Sequence, residues 1–333
     1  MKRQALKFGL MAGVIAMASG QVQAKQTFCV FDLVGTAGDV YAMMKDYALA
    51  SKSWGADIEL KAYTDERVAA EDFKAGKCDG AAISGMRGRQ FNSFTGSLDA
   101  IGALPDLKIA VSVMQLLAKP QLAADMVSGQ YEVAGVIPVG AAYLFVNDRS
   151  LNTIAKAAGK KVAVLDYDKA QAKMVQQIGA QPVSSDVTNF GGKFNNGQVD
   201  IIGAPIVAYK PMELYKGLGT KGAIVRFPLL QVTGNVIIRK DKFPAGYGQK
   251  SREWIAGQLP RAFSMLGKLE KEVPAKYWMD IPANDKVGYV KLMRESRIAL
   301  TKEGIYNKKM MSLLKRARCQ AEPSSFECAL KDE

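Results

Sequence analysis

Histidine is absent from the 333-residue chain. This absence excludes Ser-His-Asp and Cys-His catalysis and every zinc site that needs an imidazole ligand. A carboxylate-only or Ser-Lys enzyme remains open, but no motif in the sequence indicates one. We therefore expect a protein that is not an enzyme and that uses no metal and no cofactor.

Long uncharged apolar runs are also lacking after residue 24, so no later segment reaches the roughly 20 apolar residues of a membrane-spanning helix. Residues 1–24 have the features of a secretory signal peptide. Three basic residues precede the apolar run at 8–18, and Val22-Gln23-Ala24 fits the small-x-small cleavage rule. The alternative, an uncleaved membrane anchor, needs a longer apolar run. We therefore expect cleavage after Ala24 and export to the periplasm.

The mature chain would have 309 residues and a net charge of +10, because the first 24 residues carry three basic residues and no acidic ones. That length indicates about two domains of ~150 residues each. A basic protein can favour nucleic acid, an acidic membrane surface or an anionic solute. The basic residues here are scattered and export excludes nucleic acid, so a solvated basic surface is the favoured interpretation.

Cysteine is scarce, and all four cysteines follow residue 24. An even number of cysteines in an oxidising compartment predicts two disulfides, for which three pairings are possible. Cys319 and Cys328 lie close together at the C-terminus. Cys29 and Cys78 lie on segments that we predict to be neighbouring strands. We therefore predict structural disulfides Cys29–Cys78 and Cys319–Cys328.

Short apolar segments alternate with helical patterns in the first third of the chain. Strands are predicted at 27–34, 58–63 and 78–84, with a helix at 39–51 and a second helix capped by Asp65. This βαβαβ order predicts a parallel sheet in which the first and third strands lie near each other.

The same alternation starts again near residue 161. The predicted elements are a strand at 161–165, a helix at 169–178, a short strand from Pro182, a helical or irregular segment at 187–195, a strand at 199–203 and the start of a helix at 205–215. We therefore expect a second βαβαβ unit.

Three further apolar segments, 131–136, 142–146 and 231–239, are predicted to cross between the two units. Pro138-Val139-Gly140 would suit a hinge, although proline and glycine could equally mark an ordinary loop between two elements. Helices are predicted at 247–269, 285–301 and 305–318. The fold class is therefore α/β, a two-lobed periplasmic-binding-protein fold in which each lobe is a mostly parallel sheet flanked by helices, with crossing strands and a helical C-terminal region. We place lobe I at 25–138 plus 239–275 and lobe II at 139–238 plus 276–333.

A repeated phrase, F-x-x-G-x-x-D, supports this duplication. It occupies residues 73–79 and 194–200, each followed by a short apolar strand. The phenylalanine would anchor a helix to the sheet, the glycine would end the helix, and the aspartate would open the next strand. Any α/β protein can end a helix in this way. The corresponding positions of the two copies in their units favour duplication.

Solutes of open parallel sheets bind outside the carboxyl ends of the strands. In two facing lobes those ends line one cleft. The strand ends give the candidate ligand-binding residues Asp32, Thr36, Ser84, Arg87, Arg89, Asp166, Tyr167, Asn189, Tyr209 and Asn235.

Three groups of these candidates have specific alternatives. The segment Gly35-Thr36-Ala37-Gly38-Asp39 could hold an anion at a helix start, but a tight turn is favoured because the third glycine of a dinucleotide motif is missing. Arg87 and Arg89 could grip a carboxylate or form an exposed loop. Asp166 and Tyr167 could contact a polar solute or cap a helix.

The second unit resembles a known family. Its residues A-G-K-K-V-A-V-L-D, Q-I-G-A-Q-P-V and F-N-N-G-Q-V-D-I-I-G-A-P follow one another between 158 and 205. They resemble motifs of the periplasmic solute-binding proteins of TRAP transporters (the DctP type). The whole chain is similar to Acinetobacter-type solute-binding proteins labelled AdeT, some of which are described as efflux components linked to aminoglycoside resistance. The resemblance implies a small polar solute, an organic anion held by arginine, that is bound between two lobes for an inner-membrane permease.

The sequence departs from that family pattern at its arginines. Ala163 takes the place of the carboxylate-binding arginine, and no arginine occurs near 140–142. Either Arg87 or Arg89 replaces them, or the solute is not a simple carboxylate. The alternative function is a periplasmic accessory protein of an efflux or envelope complex, linked to drug resistance, with no transported ligand. In either role we expect a monomer that does not span the membrane. A net charge of +10 does not favour polycationic aminoglycosides.

Overall fold

The computed structural model describes residues 25–333, so the predicted signal peptide and its cleavage site lie outside the described residues. Eleven strands of this part form one mixed sheet. They are β1 Gln26–Phe31, β2 Ile58–Tyr63, β3 Gly80–Ser84, β4 Val127–Ser128, β5 Tyr131–Val146, β6 Lys161–Leu165, β7 Gln181–Ser185, β8 Ile201–Pro205, β9 Ala223–Val225, β10 Leu230–Arg239 and β11 Trp278–Met279.

Helices cover both lobes and build the C-terminal third. They are α1 Asp39–Ser51, α2 Glu66–Lys74, α3 Gly85–Gly88, α4 Leu107–Leu117, α5 Ile154–Ala157, α6 Lys169–Gln177, α7 Phe190–Asn195, α8 Tyr215–Leu218, α9 Tyr247–Lys271, α10 Ala283–Lys302 and α11 Lys308–Ala321. Within residues 25–333, none of these helices combines the length and the apolar character needed to cross a membrane.

The sheet contains two equivalent parallel units. Strand β1 lies between β2 and β3, and β6 lies between β7 and β8, with all four pairs parallel. The first lobe is built on β1–β3 and the second on β6–β8. The predicted doubled βαβαβ arrangement and the two-lobed α/β fold are therefore confirmed.

Two long antiparallel strands join the lobes at the centre of the sheet, where β10 pairs with β3 and with β5, and β5 pairs with β8. The separate segments predicted at 131–136 and 142–146 are one strand of 16 residues. The strand continues through Pro138 because a β-bulge lies there. The register against β10 shifts between Val232 and Thr233, which leaves Val139 unpaired beside Pro138. Gly140, with φ 119°, completes the bulge. The lobe boundary predicted at 138/139 falls in this bulge and stays a prediction.

Equivalent hydrogen bonds join the two copies of the repeated F-x-x-G-x-x-D phrase to their sheets. The backbone N–H of Asp79 donates to Thr27 O at 2.7 Å, and the Asp79 carboxylate accepts the N–H of Thr27 at 3.0 Å. Asp200 makes the same two bonds with Lys161, at 2.8 and 2.9 Å. Each aspartate therefore fixes the first strand of its unit to the start of the third, which confirms the structural role predicted for the aspartate of the phrase.

Two helix predictions are wrong, one at residues 205–215 and one at the start of the last helix. The helix predicted at 205–215 is wrong, because a 3-10 turn at Ile206–Ala208 is followed by irregular turns and α8 begins only at Tyr215. Glu213 has φ 51°, which no α-helix accommodates, and Pro211 lacks the N–H that a helix would need. The last helix starts at Lys308 rather than 305, where the Asn307 side chain caps it by accepting the N–H of Met310.

Both predicted disulfides are formed, with Cα–Cα distances of 5.8 Å for Cys29–Cys78 and 5.6 Å for Cys319–Cys328. Cys29 lies on β1, and Cys78 lies two residues before the start of β3. The parallel pairing of these two strands brings the cysteines together.

Candidate functional site: an apolar cleft between the lobes

A cavity of about 540 Å³ lies where the carboxyl ends of the two parallel units face each other. The ends of β1 and β3 line it from the first lobe, those of β6 and β8 from the second, and the crossing strands β5 and β10 from between them. Helix α9 contributes Trp254, Met265 and Leu266. This is the position expected for a ligand site in open α/β sheets, and its volume lies within the usual range of small-molecule pockets.

The lining of this cleft is mainly aliphatic. Valine, leucine, isoleucine and alanine side chains dominate it, and methionines from several elements add to them, namely Met43, Met86, Met174, Met212, Met265 and Met293. Ala163, at the position where the family resemblance places a carboxylate-binding arginine, also lines the cavity. The cavity wall therefore offers a methyl group at that point of β6.

Asp32 is the buried acid at the end of β1. Its carboxylate accepts the backbone N–H of Val34 at 3.0 Å and that of Tyr41, in the first turn of α1, at 3.1 Å. Gly35 has φ 65° and accepts the N–H of Gly38, so residues 35–38 form a tight turn. The turn interpretation of the glycine segment is thus confirmed. The carboxylate of Asp32 occupies the anion position that the start of α1 creates.

Glu66 is the second buried acid of the cleft, with 1% of its surface exposed. One carboxylate oxygen accepts the N–H of Ser84 at 2.6 Å, and the other accepts the hydroxyl of Tyr167 at 3.2 Å and lies 3.6 Å from Nε of Arg87. The Arg87 guanidinium lies 3.4 Å from the centre of the Tyr167 ring. Burial holds the pKa of Tyr167 well above its ordinary value, so its hydroxyl stays a donor.

Arg89 makes the second polar contact between the lobes. Its Nη1 donates to Asp168 at 3.0 Å, and its Nε donates to the carbonyl of Gly96 at 2.8 Å. The same Asp168 oxygen accepts the N–H of Ala170 and so caps α6. The charges of Arg87 and Arg89 are therefore both paired with acidic side chains of the protein itself.

Asp99 lies beneath this contact and is 2% exposed. Its carboxylate accepts the N–H and the hydroxyl of Thr233, at 3.1 and 2.6 Å, directly at the β-bulge of the crossing strands. Burial raises the pKa of Asp99 to about 7, although the bonds from Thr233 and the charge of Arg89 act in the opposite direction.

The structure places three of the ten sequence-predicted binding residues on the cavity wall: Asp32, Ser84 and Tyr167. Three others are exposed away from it, namely Thr36, Asp166 and Asn189. Arg87 and Arg89 belong to the contacts between the lobes. Tyr209 is buried against Phe145. Asn235 is buried in β10, and its side-chain amide has no hydrogen-bond partner among the described residues. A ligand-binding role for any of them stays a prediction.

Sequence reasoning missed Glu66, Gln171 and Trp254, all of which line the cavity. Glu66 opens α2 directly after β2, so the strand-end rule would have found it if it had been applied to β2 as well. Trp254 comes from α9, far along the chain, and carries no local signal. Among residues 25–333, no group of three or more acidic or cysteine side chains is placed to hold a metal ion.

Comparison with known proteins identifies the family. The family model of solute-binding protein AdeT 1/2 matches residues 48–333. The probable solute-binding protein AdeT1 of Acinetobacter baumannii is 63% identical over 304 residues, which cover 91% of this chain and 100% of that protein.

Among solved structures, a TRAP periplasmic solute-binding protein of Desulfovibrio salexigens with bound orotic acid has a TM-score of 0.74 at 17% identity, covering 89% of this chain and 99% of that one. One from Roseobacter denitrificans with bound β-D-glucuronate has a TM-score of 0.71 at 15% identity, covering 88% and 99%. The chain therefore belongs to the AdeT 1/2 family of solute-binding proteins, and its fold is that of the TRAP periplasmic solute-binding proteins.

Proposed function

We propose that this protein captures a small solute in the cleft between its lobes in the periplasm and presents it to an inner-membrane transporter, without converting it chemically. The observation that carries the proposal is the cavity of about 540 Å³ at the facing carboxyl ends of two equivalent parallel units. Ligands of such sheets bind there, and closure of two lobes about crossing strands is a common motion of periplasmic binding proteins. The bulge at Val139 and Gly140 supplies an irregular point in those strands at which a hinge can bend.

The nature of the solute is a separate question. The solved relatives named above hold orotic acid and glucuronate, which supports the prediction of an organic anion. The cleft of this chain has Ala163 at the position where the sequence resemblance places a carboxylate-binding arginine. The polar contacts of Arg87 and Arg89 also go to the protein itself. The family therefore supports solute capture, while the choice of solute depends on the residues of this cleft.

Purified mature protein, beginning at Lys25, tests the proposal. Thermal-shift screening with organic acids, sugars, amino acids and apolar compounds should find at least one stabilising ligand. Small-angle X-ray scattering should then show a smaller radius of gyration with that ligand. A protein that no compound stabilises or compacts would contradict solute capture. Recovery of a stable envelope partner in its place, by pulldown from envelope extracts, would favour the accessory role.

A further inference from the structure

The charges that line the cleft are mainly negative. Four acidic side chains reach it, from Asp32, Asp39, Asp46 and Glu66, against one basic side chain, that of Arg261. Arg261 is 71% exposed and lies 3.4 Å from Asp46, which is 56% exposed, so this pair belongs to the rim. Asp39 is exposed as well, and the buried acids of the cleft are Asp32 and Glu66. Among the described residues, the interior of the cavity therefore presents no cationic group to a solute.

The donors at the start of α1, at Ser84 and at Tyr167 are already occupied by carboxylates of the protein. Nε of Arg87 and Nη2 of Arg89 have no hydrogen-bond partner among the described residues, but neither arginine lines the cavity. Asp32 accepts the N–H groups at the start of α1. Glu66 accepts the N–H of Ser84 and the hydroxyl of Tyr167 and faces the guanidinium of Arg87. A solute carboxylate would have to displace one of these buried acids or remain unpaired beside them, and both outcomes are costly in an environment of low polarity.

The remaining surface favours apolar contact. The methionines and branched aliphatic side chains that line the cavity can bury a large apolar group, and methionine adapts its shape to different partners. A hydrophilic sugar acid would leave most of its hydroxyl groups facing aliphatic carbon, because the uncharged polar side chains of the lining are few, namely Ser84, Tyr167, Gln171, Trp254, Gln258 and Tyr289.

We propose that the cleft selects a solute with a large apolar body and a neutral or cationic polar group, rather than a hydrophilic organic anion. This inference rests on the proposed function and specifies the solute class of the same site. The apolar lining provides the affinity, and the internal carboxylates of Asp32 and Glu66 exclude an anionic group.

A series of compounds with one apolar body and different polar groups tests this directly. Decylamine, decan-1-ol and decanoate, all below their aggregation concentrations, and D-glucuronate are titrated into the mature protein. Binding is followed by calorimetry and by tryptophan fluorescence, in which Trp254 is the one of the three tryptophans that lines the cavity. We expect decylamine and decanol to bind at least ~10-fold more tightly than decanoate, and glucuronate to bind most weakly.

Decanoate or glucuronate binding as tightly as decylamine and decanol would overturn the inference. If glucuronate or another hydrophilic compound of the thermal-shift panel binds and no decyl compound does, solute capture stands and the inference falls. If nothing in either set binds, both fall.

A substitution on the cavity wall provides a second, independent test. Ala163→Arg places a cation beside the solute, whereas Ala163→Met adds comparable length without charge. We expect Ala163→Arg to strengthen decanoate binding by ~10-fold and to weaken decylamine binding, and Ala163→Met to do neither. Equal effects of the two variants on decanoate would contradict the charge argument. Should Ala163→Arg fail to fold, the ligand series with the unchanged protein still decides the inference.

Discussion

The guanidinium carbon of Arg87 lies 3.4 Å from the centre of the Tyr167 ring, so that a cation of the first lobe stacks on an aromatic ring of the second. Both side chains also contact the buried carboxylate of Glu66. A desolvated cation–π pair contributes about 2 kcal/mol. Because its two partners belong to different lobes, this pair stabilises the closed arrangement, in which the lobes cover the cleft.

Removing the ring of Tyr167 should therefore open the lobes. Tyr167→Ala loses the stacking contact, whereas Tyr167→Phe keeps it and loses only the hydrogen bond to Glu66. We expect Tyr167→Ala to increase the radius of gyration in X-ray scattering and to weaken the best-binding solute by ~10-fold or more, with a smaller effect of Tyr167→Phe. Identical behaviour of the two variants would show that the stack does not hold the lobes.

Arg89 and Asp168 should stabilise the protein only when both side chains are present. Arg89→Leu leaves the buried carboxylates of Asp168 and Asp99 without their neighbouring cation, so we expect a loss of about 3 kcal/mol or more in the free energy of unfolding. Adding Asp168→Asn should restore part of that loss, because the amide oxygen can still cap α6. Urea denaturation of the two single variants and the double variant measures this coupling. Strictly additive losses would contradict it.

Asp99 should make stability depend on pH in a particular direction. Its pKa is raised from 3.8 to about 7, chiefly by burial. Between pH 3.8 and about 7, Asp99 is protonated in the folded protein and ionised in the unfolded chain. Its contribution to the free energy of unfolding is therefore full below about pH 4, falls as the pH rises and is lost above about pH 7. From 3.8 to about 7, at about 1.4 kcal/mol for each pH unit, the total change is on the order of 4 kcal/mol.

Asp99→Asn tests this dependence, because an amide can accept the two bonds from Thr233 and does not titrate. Urea denaturation at several pH values should show that the advantage of the unchanged protein over Asp99→Asn decreases from acid to neutral pH. Asp241→Asn, at an exposed site, serves as the control and should show no such trend. An advantage that grows with pH would refute the assignment.

The sequence was sufficient to predict features that depend on short-range order. The period of the apolar residues marked β2 and β6 with their observed bounds, and the βαβαβ order placed Cys29 beside Cys78. The strand-end rule found Asp32, Ser84 and Tyr167 on the cavity wall. These results follow because the direction of parallel strands determines which ends face the cleft.

The partners of charged residues could not be predicted in this way. Arg87 and Arg89 were interpreted either as gripping a carboxylate of the solute or as forming an exposed loop, whereas the structure pairs them with Glu66 and Asp168. These contacts depend on how the two lobes meet, and no local pattern specifies that geometry. The bulge at Val139 was missed for a related reason, since a register shift exists only once β5 and β10 are paired.

The C-terminal tail should be a structural element rather than a dispensable end. The side chain of Glu333 is 1% exposed and contacts two buried arginines, Arg297 and Arg318. Burial lowers the pKa of Arg297 because desolvation disfavours its charge, whereas Glu333 and Glu327 act in the opposite direction. We expect Glu333→Ala to lower the free energy of unfolding by about 2 to 3 kcal/mol, because two buried cations then share the carboxylate of Glu327. The exposed Lys331→Ala should change it by less than about 0.5 kcal/mol. Urea denaturation measures the free energy of unfolding of both variants. Equal losses for Glu333→Ala and Lys331→Ala would mean that the buried ion pairs of the tail do not stabilise the protein.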